Sequence, residues 1–144
     1  MHGSPRFELG INWWPRRSAM YMWRELELAE VRDEMAHMAD IGFDVVRLFA
    51  MTRDFLPDAL TVDPAMIARL VDVVRAAADA GLRVVPTLVV INMSGRIWWP
   101  EWMLDADGRP GSLWTDPTIL RSQELLAEEV AGAWTTRRRS PTRT

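Results

Sequence analysis

Gly42-Phe43-Asp44-Val45-Val46-Arg47-Leu48-Phe49 is the stretch that decides the fold. It reads as a short strand entered through a glycine, with one arginine set among apolar residues. A charge within a buried strand is costly unless something anionic meets it. Arg47 is therefore expected at the wet end of its strand, serving a site there. Upstream, Leu28, Val31, Met35 and Met38 step by three and four, which predicts a helix over about residues 27–41 with one buried stripe. Glu25, Glu27 and Glu30 lie at its start, where the helix dipole favours them. Gly42 suits the residue just past its end.

The same helix-to-strand passage recurs 39 residues later: Ala39-Asp40-Ile41-Gly42-Phe43-Asp44-Val45-Val46 aligns with Ala78-Asp79-Ala80-Gly81-Leu82-Arg83-Val84-Val85. Asp63-Pro64 opens the second helix as cap and first residue. Ile67, Leu70, Val71, Val74, Ala77 and Ala78 are its expected buried face, and Gly81 ends it. Residues 82–91 read as the next strand, with Pro86 predicting a missing ladder bond. Asp116-Pro117 repeats the helix start, and a third helix is expected to about Trp134 over Ile119, Leu120, Leu126, Ala127 and Val130. An earlier strand falls within residues 7–15 and ends at Pro15. Residues 16–26, 51–62 and 92–115 read as loops. Helix-to-strand turns are thus tight and strand-to-helix loops long, the two ends of a β/α barrel, with function at the long-loop end. An open doubly wound sheet usually carries a glycine-rich turn after its first strand. Here Asn12-Trp13-Trp14-Pro15 stands in that place and argues against it. The expected fold class is α/β, a partial β/α (TIM) barrel made of its first three βα units over residues 7–134.

After the third helix the pattern asks for a fourth strand. Residues 135–144, Thr-Thr-Arg-Arg-Arg-Ser-Pro-Thr-Arg-Thr, have no apolar run and read as a basic polar tail outside the fold. A whole barrel takes about 250 residues and eight strands. The expectation is a truncated barrel, as a frameshift near Trp134 would produce; the alternative is a solvated tail on a small complete α/β domain.

Composition bounds the rest. The 144 residues are 49% hydrophobic and 26% charged, a globular balance. There is no cysteine, so disulfides and thiolate metal sites are excluded. A net charge of −3 gives no electrostatic footprint for nucleic acid. No apolar run is long enough for a membrane span, and no leader pattern opens the chain, so a cytoplasmic address is the default. His2 and His37 form no catalytic pair, no metal-ligand spacing occurs, and no cofactor is expected. Oligomeric state is left open.

The chain has eight tryptophans, of which Trp13, Trp14, Trp23, Trp98, Trp99, Trp102 and Trp114 follow the first or third strand. Core packing is the ordinary use of tryptophan. Gathered in loops at one end, these flat faces also suit the apolar C–H faces of pyranose rings. Gly10-Ile11-Asn12-Trp13-Trp14-Pro15, then Val45-Val46-Arg47-Leu48-Phe49, then Pro86-Thr87-Leu88 leading to Met93-Ser94-Gly95 and Trp98-Trp99-Pro100-Glu101-Trp102, resembles the first three βα units of glycoside hydrolase family 5. That resemblance implies a retaining hydrolase of β-linked poly- or oligosaccharides, of cellulase or β-mannanase type, with carbohydrate as the partner. Arg47 matches the strand-two arginine that orients the nucleophilic carboxylate, a task its rigid fork suits. Its other reading is a pairing with a loop acid such as Asp54. Asn12, Trp13, Trp14, Asn92, Trp98, Trp99 and Trp102 are the implied substrate contacts. Asn92 stands where the family commonly has histidine; it can hydrogen-bond a hydroxyl but cannot titrate.

Retaining hydrolysis needs two carboxyls about 5–5.5 Å apart. In the family they follow strands four and seven, the first within an Asn-Glu pair, and this sequence has no Asn-Glu dipeptide. Glu101, Asp105 and Asp107 are read as solvated or substrate-contacting, so no catalytic carboxylate is assigned and the chain alone is expected to be inactive. The competing readings are a non-catalytic carbohydrate-binding fragment and a non-functional gene remnant.

Overall fold

The structure is a computed structural model and describes residues 7–137. In chain order it comprises β1 (Gly10–Asn12), a 3-10 turn (Ala19–Tyr21), α1 (Leu28–Ile41), β2 (Val45–Met51), α2 (Thr52–Phe55), α3 (Pro64–Asp79) and β3 (Arg83–Val90). The short strands β4 (Asn92–Met93) and β5 (Arg96–Ile97), a second 3-10 turn (Glu101–Met103) and α4 (Pro117–Arg137) complete it. The sheet order is β1-β2-β3, with β1 parallel to β2. This is an α/β fold with a parallel three-stranded sheet, part of a β/α barrel, and it is not closed among the described residues. The expected third helix runs through Arg137, three residues past Trp134; the rest of the expected basic tail lies outside the described residues.

The chain forms two compact units. The first contains residues up to Leu48 together with Asp72–Pro86. In it, α1 buries Val31, Met35 and Met38, as the three-and-four spacing predicts. Gly42 ends the helix at φ +106°, a left-handed conformation that glycine adopts without the Cβ penalty. Its N–H donates to the Ala39 carbonyl and that of Phe43 to the Met38 carbonyl, so the chain enters β2 with no loop. Asp44 then ties the sheet together. Its N–H donates to the Leu9 carbonyl, its Oδ2 accepts the Leu9 N–H at 3.1 Å, and its carbonyl accepts the Arg83 N–H. Only Gly10–Asn12 of the longer expected first strand pair as strand. The chain after it is held by one side chain of α1: Glu34 Oε2 accepts the Trp13 indole N–H at 2.6 Å and Oε1 accepts the Arg16 backbone N–H at 3.1 Å. Residues 16–26 are not a plain loop, since the 3-10 turn there precedes the fully buried Met22 and Trp23.

The second unit contains Phe49–Val71 and the residues from Thr87 on. Two expected loops carry structure. Residues 51–62 include the single helical turn α2, whose Phe55 carbonyl accepts the Asp63 N–H. Residues 92–115 include an antiparallel hairpin, Asn92↔Ile97 and Met93↔Arg96. Ser94 and Gly95, at φ +54° and +74°, form its two-residue turn, the primed type that matches strand twist. The expected stripes of α3 and α4 hold in part: Leu70 and Ala77, and Ile119, Leu126 and Val130, are buried as expected. In α3 the buried set is Met66, Leu70, Val73, Ala76 and Ala77, while Ala78 is exposed and Val74 half-buried. In α4 it is Ile119, Ser122, Leu126 and Val130, while Leu120 and Ala127 are exposed. Ser122 fits this apolar stripe because its hydroxyl donates to the Ile119 carbonyl at 2.7 Å. Asp63 and Asp116 cap the two helices as expected, through the N–H groups of Ala65 and of Thr118 and Ile119. Pro86 lies inside β3, which ends the strand order, and an edge tolerates a residue that cannot donate.

Val89 near the end of β3 has φ +57°, rare for a β-branched residue. Alternation breaks there, and Val90 and Ile91 are both buried. A backbone held in that region stores about 1–3 kcal/mol. Val89→Gly should therefore change urea-derived stability by no more than about 1 kcal/mol, because relief of strain offsets the lost side chain. Val46→Gly, at a position with no exposure, should cost about 3 kcal/mol or more. Equal losses at the two sites would contradict the strain at Val89. Glu34→Ala should cost about 1–3 kcal/mol, since it leaves a buried indole N–H without its acceptor. Glu34→Gln, whose amide oxygen can accept from only one of the two N–H groups that Glu34 holds, should recover part of that loss in the same unfolding measurement.

Candidate functional site

The first unit brings two of the expected site residues together. Asn12 ends β1 and stands opposite Arg47 in the parallel register, and both are exposed. The backbone N–H of Trp13 donates to the Arg47 carbonyl at 3.1 Å, which extends the pairing one residue past the strand. Val46 and Leu48 are buried, so Arg47 projects from the opposite, open face of the sheet. Gly10, Ile11, Asn12, Val45, Arg47 and Val85 line an open cavity of about 320 Å³ on it. The expectation that Arg47 sits at the strand's wet end is corrected. It is third of the seven residues of β2, and Phe49, Ala50 and Met51 beyond it are buried. Its exposure comes from the uncovered sheet face, with Val85 beside it at 50% exposure.

Trp13 and Trp23, at 5% and 0% exposure, are core residues of this unit. The Trp13 indole N–H is engaged by Glu34, as described above. Trp14 is half-buried.

In the second unit, Asn92 is exposed at the start of the hairpin. Trp98 closes the hairpin's base, its backbone N–H donating to the Ile91 carbonyl at 2.7 Å and its indole N–H reaching the Met93 carbonyl at 3.4 Å. Two guanidinium groups lie over the Trp98 ring, that of Arg53 at 4.0 Å and that of Arg96 at 4.8 Å from the centroid. Trp99 and Trp102 pack with Leu113 against a buried cluster of Ile91, Met103 and Ile119. The Trp102 indole N–H donates to the Leu56 carbonyl at 2.9 Å. Trp114 is the most exposed of the tryptophans, at 84%. The sequence did not single out Arg53, Arg96 or Glu34. The signals were present in the polar Thr52-Arg53-Asp54 run directly after β2 and in the Ser94-Gly95 hairpin turn that aims Arg96.

Many of the acids have structural work. Asp54, the alternative partner considered for Arg47, pairs with its neighbour Arg53 at 3.7 Å. Asp105 accepts the N–H groups of Asp107 and Arg109, and Asp107 pairs with the Arg109 side chain. Arg121 on α4 titrates above its ordinary value because it donates to Glu124 and Glu128, a network on an exposed helix face. Among the described residues no cluster of His, Asp and Glu is arranged to hold a metal ion, and no helix is long and apolar enough to cross a membrane.

No protein-family model and no curated protein matches the chain. Solved structures do. An exo-β-1,4-mannosidase from Opitutaceae bacterium strain TAV5 is 31% identical at a TM-score of 0.81, the match covering 90% of this chain and 22% of that one. A GH5_18 protein from Streptomyces cattleya, solved with the disaccharide Manβ1-4GlcNAc, is 27% identical at 0.84, over 90% of this chain and 31% of that one. A GH5_18 protein from Bifidobacterium longum subsp. infantis shares the fold at 0.83 and 20% identity, over 89% of this chain and 30% of that one. The chain thus spans between a fifth and a third of the length of the enzymes it matches. In sequence and in fold it is similar to the N-terminal part of glycoside hydrolase family 5 enzymes, and it is a glycoside hydrolase-like β/α-barrel segment.

Proposed function

We propose that this chain supplies one side of the substrate cleft of a retaining glycoside hydrolase that acts on β-linked mannosides. The observation that carries the reading is Arg47, exposed beside Asn12 on the open face of a parallel sheet. The strand register holds the residue's backbone in place, and the residue is exposed. It suits holding a nucleophilic carboxylate ionised and in line, a task for which lysine is a poor substitute. Asn12 beside it offers an amide that can both donate to and accept from a sugar hydroxyl. The mannoside preference rests on the exo-β-1,4-mannosidase and on the GH5_18 protein solved with Manβ1-4GlcNAc.

The tryptophans divide by burial. Each unit is proposed to offer its own sugar contacts, half-buried Trp14 in the first, and half-buried Trp98 and Trp99 with polar Asn92 in the second. Trp102 shares that role only on the part of its ring not packed on the apolar cluster. Trp13 serves by bracing: with its ring buried and its N–H on Glu34, it holds Asn12 in register with Arg47. No carboxyl in this chain is assigned to the catalytic pair. Asp63 and Asp116 cap helices, Asp105 closes a turn, and Asp54 pairs with the neighbouring Arg53. The chain is accordingly proposed to bind glycan without cleaving it.

Purified residues 1–144 should show tryptophan fluorescence quenching by mannotriose, and no release of chromophore from an aryl β-mannoside above a buffer blank. Quenching should weaken several-fold in Asn12→Ala. Turnover that disappears in Arg47→Ala would overturn the proposed division of labour, and absence of any sugar-dependent signal in a cooperatively folded protein would overturn the cleft.

A further inference from the structure

Three polar residues in succession follow β2, and two of them are buried: Thr52 with no exposure and Asp54 at 6%. The Thr52 hydroxyl has no hydrogen-bond partner among the described residues. Burying such a run is costly, and one helical turn of four residues returns little in backbone hydrogen bonds. The cost is understandable if the turn holds one group in a fixed place. That group is the Arg53 guanidinium. Its side chain is 16% exposed, Asp54 lies 3.7 Å from its Nε, and its Cζ sits 4.0 Å from the centroid of the Trp98 ring.

We propose that Arg53 is a positioning residue. Anchored by the buried Asp54 carboxylate, it fixes the indole of Trp98 in one orientation, and so couples the loop after β2 to the aromatic surface after β3. A planar guanidinium stacked on an indole restrains ring tilt as well as distance, which an ammonium group does not. Two further contacts reach the ring at longer range. The indole N–H reaches the Met93 carbonyl only at 3.4 Å, and Arg96 comes from the exposed two-residue strand β5 at 4.8 Å. Loss of Arg53 therefore frees the ring while the hairpin backbone, held by Ile91 and Ile97, stays in place. What the oriented ring receives, a pyranose face, rests on the cleft reading above.

The test uses the full 144-residue chain labelled with ¹⁵N. Indole N–H resonances are followed in Arg53→Ala, Arg53→Lys and Asp54→Asn, with Trp98→Phe assigning the Trp98 signal. In Arg53→Ala the Trp98 resonance should move or broaden, while those of Trp13 and Trp102, held by Glu34 and Leu56, stay where they are. Arg53→Lys should resemble Arg53→Ala, because charge without a planar fork does not restrain tilt, and Asp54→Asn should shift Trp98 in the same direction by less. A loss of fold would move all indole signals together and is thereby distinguished. Mannotriose affinity should fall by about fivefold in Arg53→Ala, of the order that one stacked cation contributes. An unchanged Trp98 resonance in Arg53→Ala overturns the positioning role, whatever happens to sugar binding. A shifted resonance with sugar affinity unaltered in Trp98→Phe supports the positioning role and overturns Trp98 as a glycan contact.

Discussion

Asn12 and Arg47 are neighbours because two short stretches are locked in parallel register, and the site depends on that lock. β1 has only three residues, too few to hold register by strand pairing alone. The register is fixed at both ends instead. At one end Asp44 exchanges hydrogen bonds with Leu9 through backbone and side chain. At the other, Trp13 donates its backbone N–H to Arg47 while Glu34 grips its indole. A slip of one residue would send Asn12 and Arg47 to opposite faces. Asp44 and Glu34 thus both determine which groups the open face presents.

The open face leaves Arg47 exposed in the body of its strand. In a sheet covered on both sides, an arginine third of seven strand residues would have to bring an anion with it. Gly10, Asn12, Val45 and Val85 share that face with it around an open cavity. The face is polar where Asn12 and Arg47 meet and apolar where the valines lie, a combination suited to a sugar or a carboxylate approaching from one side. The second unit presents aromatic groups by a different device. There a primed hairpin turn and a backbone kink at Val89 aim Asn92 and Trp98, and an apolar cluster supports Trp99 and Trp102.

Much of this was legible in the sequence. Asp-Pro helix starts, the glycines at helix ends and the repeated Ala-Asp-X-Gly passage carry a local mechanism each, and each lies where that mechanism puts it. The resemblance in motif order to family 5 glycoside hydrolases was likewise visible, and solved structures share it. What was not legible depends on partners far apart in sequence. Nothing local says that Trp13 spends its N–H on Glu34, 21 residues on, or that Trp102 reaches Leu56, 46 residues back. The stripes of α3 and α4 are legible only in part for the same reason, with Leu70, Ala77, Ile119, Leu126 and Val130 buried where spacing puts them. Val73 and Ser122 are buried by where the helix lies against its surroundings, and spacing alone admitted Val74 and Leu120 equally well. The cost of a charge inside a strand points Arg47 to a strand end, an argument that holds only when both faces are covered.

The central claim is that the Asn12–Arg47 face receives a glycan. The most direct measurement is a ¹⁵N–¹H titration of the chain with mannotriose, following the Asn12 side-chain amide and the Arg47 Nε–H. The account predicts that both resonances shift together and saturate with the same dissociation constant, while the Arg121 Nε–H on the exposed face of α4 stays unmoved. Shifts confined to the loop tryptophans, with Asn12 and Arg47 unchanged at saturation, would contradict it.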